Sequence, residues 1–368
     1  MLHIPQIAID GGPCGGKSTG MIYLVNKLIG LGYLPFVVPE AATLLILGGA
    51  TPVGGVVPLR KFQTLVIRTM IHLEAMFEEA ARASGHPKPI LVCDRGLMGT
   101  RAYMTEEMFE DVMRELGLDR RTMRDERYDG VFLMRTAALG AEAFYTQKNN
   151  AARFEDTLEK AIDAEDRTER AWLGHPHLSI IGNEGRTFDE KLECLFRKVC
   201  LLLGEPEPLE IERKYLVDPV DLVAFGVPHA EIAIEQSYLH PHVDGHTLRI
   251  RKRGQFGSFT YFETKKSDVR PGVRREIERF ITEEDYNALL PSILPGTVTL
   301  EKRRLCFVWK DQHFELDIFE SPHCRGVHIL EIELLDENDP VAIPSFIRVQ
   351  KEVTDDPAFS SFTLAKVV

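Results

Sequence analysis

The chain has 368 residues, 44% hydrophobic and 27% charged, with a formal net charge of −12 at neutral pH. That length exceeds one ordinary core, so two domains are expected, and the composition is that of a soluble globular protein. The acidic balance excludes a general nucleic-acid binder, because phosphate backbones reward net positive charge.

Taken in chain order, apolar runs at 6–10, 34–40, 89–94, 130–136 and 178–183 predict strands. They alternate with helix-length segments at 17–29, 59–83, 106–116, 154–172 and 189–203. The alternation predicts a parallel sheet with helices on both faces. The run 41–57 is apolar, but it is short for a membrane span and broken by Gly48, Gly49, Pro52, Gly54 and Gly55. It is expected to pack as a mobile flap over a nucleotide site, with membrane or partner contact as the other reading.

Leu203-Gly204-Glu205-Pro206-Glu207-Pro208 marks a linker, so a first domain at 1–204 and a second at 207–368 are expected. Beyond it the period changes to two. Strands are predicted at 210–217, 231–240, 247–252, 258–266, 274–281, 297–310, 314–320 and 327–335, with one helix at 283–290. Eight strands predict a mostly antiparallel barrel, which makes the fold class α/β plus all-β. The six cysteines show no C-x-x-C pair or zinc spacing and read as free thiols of a reducing compartment. The N-terminus runs straight into a strand without a signal-peptide layout, so a cytoplasmic location is expected.

Gly11-Gly12-Pro13-Cys14-Gly15-Gly16-Lys17-Ser18-Thr19 fits G-x-x-x-x-G-K-[ST], between a strand and a helix. Such a loop curls backbone N–H groups around phosphates at a helix N-terminus. Lys17 then reaches the β- and γ-phosphates, and Ser18 binds Mg²⁺ or Mn²⁺. Asp94, at the end of the third strand, is the candidate metal partner, with a helix cap or an Arg95 salt bridge as the alternative. Glu40, ending the second strand, suits a base facing an acceptor hydroxyl or is a plain loop carboxylate. The segment 147–172, with Arg153, Arg167 and Arg170, reads as an arginine lid over the nucleotide or as an amphipathic helix with surface ion pairs. His175 and His177 read as loop histidines or nucleotide contacts, since no third metal ligand is near.

In the second domain charges keep a period of two on strand after strand. Glu210, Glu212 and Lys214 share one face, as do Arg249 with Arg251, Arg274 with Glu276 and Glu278, Lys302 with Arg304, Glu315 with Asp317, and Glu331 with Glu333. The alternate positions are largely apolar. A half-buried sheet would turn the charges to water. A closed barrel would turn them inward, its apolar faces packed on helices, and its lumen would need water, metal and a polyanion.

The first half resembles the nicotinamide-ribonucleoside-kinase-like P-loop family. The segments VPEAAT, CDRG, AYM, GAEAFYT and GHP-H carry a resemblance to the TRPL translocation defect protein family that spans essentially the whole chain. It implies nucleotide binding, plausibly GTP, although no N-K-x-D motif is present and ATP stays open. It also associates the second domain with phosphatidic acid and phosphoinositides, hence peripheral membrane contact.

The E-x-E-x-K start and the later pairs resemble the CYTH, or triphosphate tunnel metalloenzyme, family. That resemblance implies Glu210, Glu212, Asp317, Glu331 and Glu333 as metal ligands. Lys214, Arg249, Arg251, Lys266, Arg274, Lys302 and Arg304 would grip phosphates. The expected catalytic groups are Lys17, Asp94 and Glu40 in the first domain and Glu210 and Glu212 in the second. Two functions are consistent with this set. One is a metal-dependent NTPase, triphosphatase or P-loop kinase; the other is a regulatory protein binding GTP and an anionic phospholipid without chemistry.

Overall fold

Three nearly continuous apolar runs, β1 (Gln6–Asp10), β3 (Pro89–Asp94) and β4 (Gly130–Met134), are buried almost throughout and form the centre of a sheet. With β2 (Leu34–Val38) and β5 (Leu178–Ile181) the order is β2-β3-β1-β4-β5, every pairing parallel. The crossovers run through α1 (Lys17–Gly30), α2 (Ala41–Leu47), α3 (Leu59–Ala83), α4 (Glu106–Leu116) and α5 (Leu158–Trp172), and α6 (Phe188–Leu203) follows β5. This computed structural model describes residues 3–142, 157–206, 209–222, 225–240, 246–270 and 273–367. It divides into two compact units, Met1–Val199 and Cys200–Val368.

β3 and β4 flank β1, so the loop after β1 opens at a topological switch point, where open sheets of this kind take ligands. Gly11 in that loop has φ 127, and a Cβ there would lie 2.4 Å from the Met134 carbonyl oxygen, so only glycine fits. The segment expected as a flap begins as a helix. Its strand stops at Val38, and AATLLIL winds into α2, because Ala and Leu are good helix formers until Gly48-Gly49 ends the run.

The second unit closes on itself. β6 (Leu209–Val217), β7 (His229–Leu239), β8 (Thr247–Gln255), β9 (Ser258–Arg270), β10 (Val273–Ile281), β11 (Leu300–Trp309), β12 (Gln312–Phe319) and β13 (His328–Glu333) form an eight-stranded antiparallel barrel in which β10 pairs back onto β6. The far end of β6 also pairs with a short strand the sequence did not announce, β14 (Val349–Glu352). The register sets Lys214 beside Glu331, Glu212 beside Glu333, Arg304 beside Asp317 and Lys266 beside Glu276.

Outside, Leu305, Phe307, Phe314, Leu316, Leu330 and Ile332 pack under Phe225, Phe346 and Ile347, which belong to no helix. The expected helical cover is thus mostly irregular chain. Among the described residues α7 (Glu283–Leu289) lays a helix on the wall, through Tyr286 and Leu289.

Candidate functional site

The loop after β1 borders a cavity of about 1020 Å³. Pro13, Cys14, Gly15, Gly16, Lys17, Ser18 and Thr19 line it, together with Glu40, Asp94 and Arg95. Gly11 and Gly12 lie behind: their carbonyl oxygens accept from Lys17 Nζ at 3.0 and 2.6 Å. Burial, then the charge of Arg95, lowers Lys17 to about 8. Glu40 accepts from Arg95 Nε at 2.5 Å and from Thr43 Oγ1 at 2.5 Å. Burial by itself would raise Glu40, but Arg95, Thr43 and Lys17 outweigh it and hold it at about 2.

Asp94 makes no hydrogen bond or ion pair among the described residues, and burial followed by the nearby Glu40 charge pushes it up to about 6. Arg95 turns instead to Glu40 and Asp10, so the Asp94–Arg95 salt-bridge alternative is not what the side chains form. A half-buried carboxyl without a hydrogen-bond partner, sharing a cavity with a P-loop hydroxyl, has the donor chemistry of a hard cation's site. Ser18 and Asp94 would therefore hold Mg²⁺ there.

Three positioning groups were missed from sequence. Asp10, fully buried, accepts from Gly11 N at 2.9 Å, Arg95 Nη1 at 3.2 Å and Trp172 Nε1 at 2.9 Å. Glu165 on α5 accepts from Gly12 N at 2.6 Å and Thr136 N at 3.1 Å. Lys191 on α6 donates to Gly15 O, Arg135 O and Asn183 Oδ1. Asp10, next to the glycines, carried a local signal; the other two are far away in sequence and carried none.

Of the lid arginines, Arg153 lies outside the described residues, and Arg167 pairs with Asp163 on α5, as in a plain amphipathic helix. Arg186 lines the cavity. His175 is a structural loop histidine, bonded to Tyr128 O and to the His177 amide.

The family model for an AAA domain matches residues 6–189. The chain belongs to that family. In this AAA-domain protein, the solved structures found similar include the inorganic triphosphatase NE1496, 30% identical over 43% of this chain and 95% of that one, at a TM-score of 0.32. Another is the PH1819 protein from Pyrococcus horikoshii OT3, 25% identical over 35% and 80%, at a TM-score of 0.28. No curated protein matches the chain.

Inside the barrel, opposite charges interlock. Lys214 Nζ lies 3.1 Å from Glu212 and 2.9 Å from Glu331. Arg274 Nη1 donates to Glu212 at 2.7 Å, and Lys266 meets Glu210 at 2.6 Å and Glu276 at 2.5 Å. Its neighbour Lys265 is exposed, as strand parity predicted. Arg304 clamps Asp317 through two 2.7 Å bonds and also holds Glu331 and Glu315. Lys302 pairs with the same Asp317; burial, opposed by that partner, brings it to about 8.

Arg249 and Arg251 bond Glu276 and Glu278 through Nη2, yet the buried Nε of each has no acceptor. Among the described residues no three His, Cys, Asp or Glu groups already converge as a metal cage. Glu333 comes nearest to needing a cation. Although water reaches it, enclosure together with Glu210, Glu315 and Glu276 raises its pKa. The donors are all carboxylate oxygens, as a hard cation requires, but Lys266 would have to release Glu210 for such an ion to be held.

Proposed function

We propose that this chain is a divalent-cation-dependent phosphohydrolase of two phosphate-handling domains, 1–204 and 207–368. The first binds a nucleoside triphosphate, GTP or ATP, on its P-loop. The second binds a tri- or polyphosphate inside the barrel and hydrolyses its terminal group.

The observation that carries the reading is the pair of buried Nε groups of Arg249 and Arg251 without an acceptor. Each such orphan donor costs about 1–3 kcal/mol unless something accepts from it. The surrounding Lys214, Lys266, Arg274, Lys302 and Arg304 make an anion the fitting acceptor. In hydrolysis a water oxygen attacks the terminal phosphorus, the bridging P–O bond breaks, and the chain-side phosphate leaves with the bond's electrons. Arg249, Arg251 and Lys214 hold the phosphate oxygens against that displacement, and an ionised carboxylate of the lumen takes the water's proton on Oε. A cation held by Glu210, Glu212, Asp317, Glu331 or Glu333 supplies charge neutralisation and water activation when bound.

At the P-loop, the cavity has Lys17 on the phosphate side and Glu40 beside Arg95, an arrangement that also suits phosphoryl transfer to a hydroxyl. A second reading rests on the same basic side chains: the head group of an anionic phospholipid is also a phosphate, bound without chemistry.

The test measures phosphate release from tripolyphosphate, ATP and GTP with Mg²⁺ or Mn²⁺, for wild type, Lys17→Ala and Glu212→Ala. Tripolyphosphate turnover lost only in Glu212→Ala supports the tunnel reading. Equal rates in wild type and Glu212→Ala overturn it. Co-sedimentation with phosphatidic-acid vesicles, without turnover of any triphosphate, moves the conclusion to the lipid reading.

A further inference from the structure

At one end the barrel lumen is not charged. Leu300, Phe319 and Ile329 form a buried apolar cluster with Tyr238, and Phe362 from the C-terminal segment packs its ring 5.0 Å from that of Tyr238. Tyr238 stands where this plug meets the cationic layer. The register of β7 and β8 sets Tyr238 directly beside Arg249 and Gln236 beside Arg251. The charges of Arg249, Lys266, Lys214 and Arg274 all bear on its phenol, whose pKa is nevertheless raised because burial dominates. The hydroxyl therefore keeps its proton at neutral pH.

That proton has no acceptor. Gln236 Nε2 donates to the Tyr238 oxygen at 2.7 Å, and the Gln236 Oε1, fully buried, has no partner. Rotating the amide by half a turn makes the hydroxyl donate to Oε1 and leaves the amide N–H groups uncommitted instead. In both arrangements the pair retains a neutral donor beside Arg249 and Arg251, whose own Nε groups lack acceptors. The hydroxyl's structural task is to accept from Gln236, and that task leaves the proton of the pair unused.

We propose that Tyr238, backed by Gln236, is a substrate-binding residue that donates a hydrogen bond to an oxygen of the phosphate group seated against the plug, beside Arg249. It makes the end of the tunnel a stop for the terminal phosphate, where a neutral donor replaces another cation. The proposal rests on the reading of the barrel as a polyphosphate site.

Calorimetric titration with tripolyphosphate at several salt concentrations tests it on wild type, Tyr238→Phe, Gln236→Leu and Arg249→Ala. Tyr238→Phe is expected to weaken binding about tenfold, with a modestly lower melting temperature because the buried Gln236 amide loses its acceptor. Its salt dependence should match wild type, because no charge is lost, whereas Arg249→Ala should flatten the dependence.

Gln236→Leu leaves the hydroxyl free to turn and should lose less affinity than Tyr238→Phe. Wild-type affinity in Tyr238→Phe, with Arg249→Ala weakened, overturns the Tyr238 proposal and leaves the tunnel reading standing. Should Tyr238→Phe melt early, the titration is run well below its transition with the fold checked by circular dichroism, and wild-type affinity there overturns the proposal. Absence of tripolyphosphate binding by wild type overturns the tunnel reading and this inference with it.

Discussion

The backbone N–H of Gly12 donates to Glu165 at 2.6 Å across a separation of 153 positions. The same buried carboxylate takes the Thr136 amide and is met by Arg135, so one side chain of α5 fixes the P-loop to the end of β4. Glu165→Ala would leave two buried amides without their acceptor and Arg135 without one of its two carboxylate partners, Glu169 remaining. We expect a loss of about 3–5 kcal/mol in stability, read by urea denaturation. Glu165→Gln keeps the size and one acceptor oxygen and should lose less. Equal stability in all three proteins would refute the tie.

Lys17 gives the P-loop a pH signature. Its ammonium, lowered to about 8 by burial, is charged below that pH and neutral above it. Affinity for ATP or GTP should therefore fall as pH rises from 8 towards 10, while Lys17→Ala binds weakly and stays flat over that window. The stability contribution has the opposite sense. The unfolded lysine holds its proton to a higher pH, so the burial penalty on the charged form is relieved across the same range. A nucleotide affinity independent of pH from 7 to 10 would contradict this.

Glu40 reports on acid stability. Arg95, Thr43 and Lys17 keep it near 2 in the folded protein, below its ordinary value of 4.5. Its stabilising contribution is complete above 4.5 and disappears as pH falls through 2. The difference in unfolding free energy between wild type and Glu40→Gln should accordingly be constant at neutral pH and shrink only in that acid window. Constancy down to pH 2 would show that the Arg95 pairing is not what depresses the carboxyl.

Arg304 is the centre of the barrel's ion network, bonded to Asp317, Glu331 and Glu315. Arg304→Met takes one positive charge from buried Asp317 and half-buried Glu331 and leaves Glu315 without its ion pair, so a destabilisation of about 3–5 kcal/mol is expected. Acid should relieve part of it, because protonated carboxyls no longer repel. Denaturation at pH 7 and pH 5 checks both the loss and its recovery.

Legibility followed the range of each interaction. The P-loop was readable because glycines, lysine and hydroxyl must be consecutive to wrap a phosphate, and the tunnel face because strand geometry repeats every two residues. The registers set Arg304 beside Asp317 and Lys214 beside Glu331 with no need of sequence proximity. The segment 41–57, read as a flap over the nucleotide site, does border the cavity through Ala41, Ala42, Thr43 and Ile46, but its helical start α2 was not legible beside the glycines that end it.

The chain's own order of residues determined the βα alternation and the alternating charges that must face a polar lumen, because each follows from local period and turn chemistry. Only the tertiary structure decided which charge answers which. Glu165 and Lys191 reach the P-loop from α5 and α6, and Tyr238 meets Arg249 at the plug, through approaches set by sheet order and barrel closure. Buried polar groups must find partners wherever the fold brings them, and sequence separation says nothing about that distance.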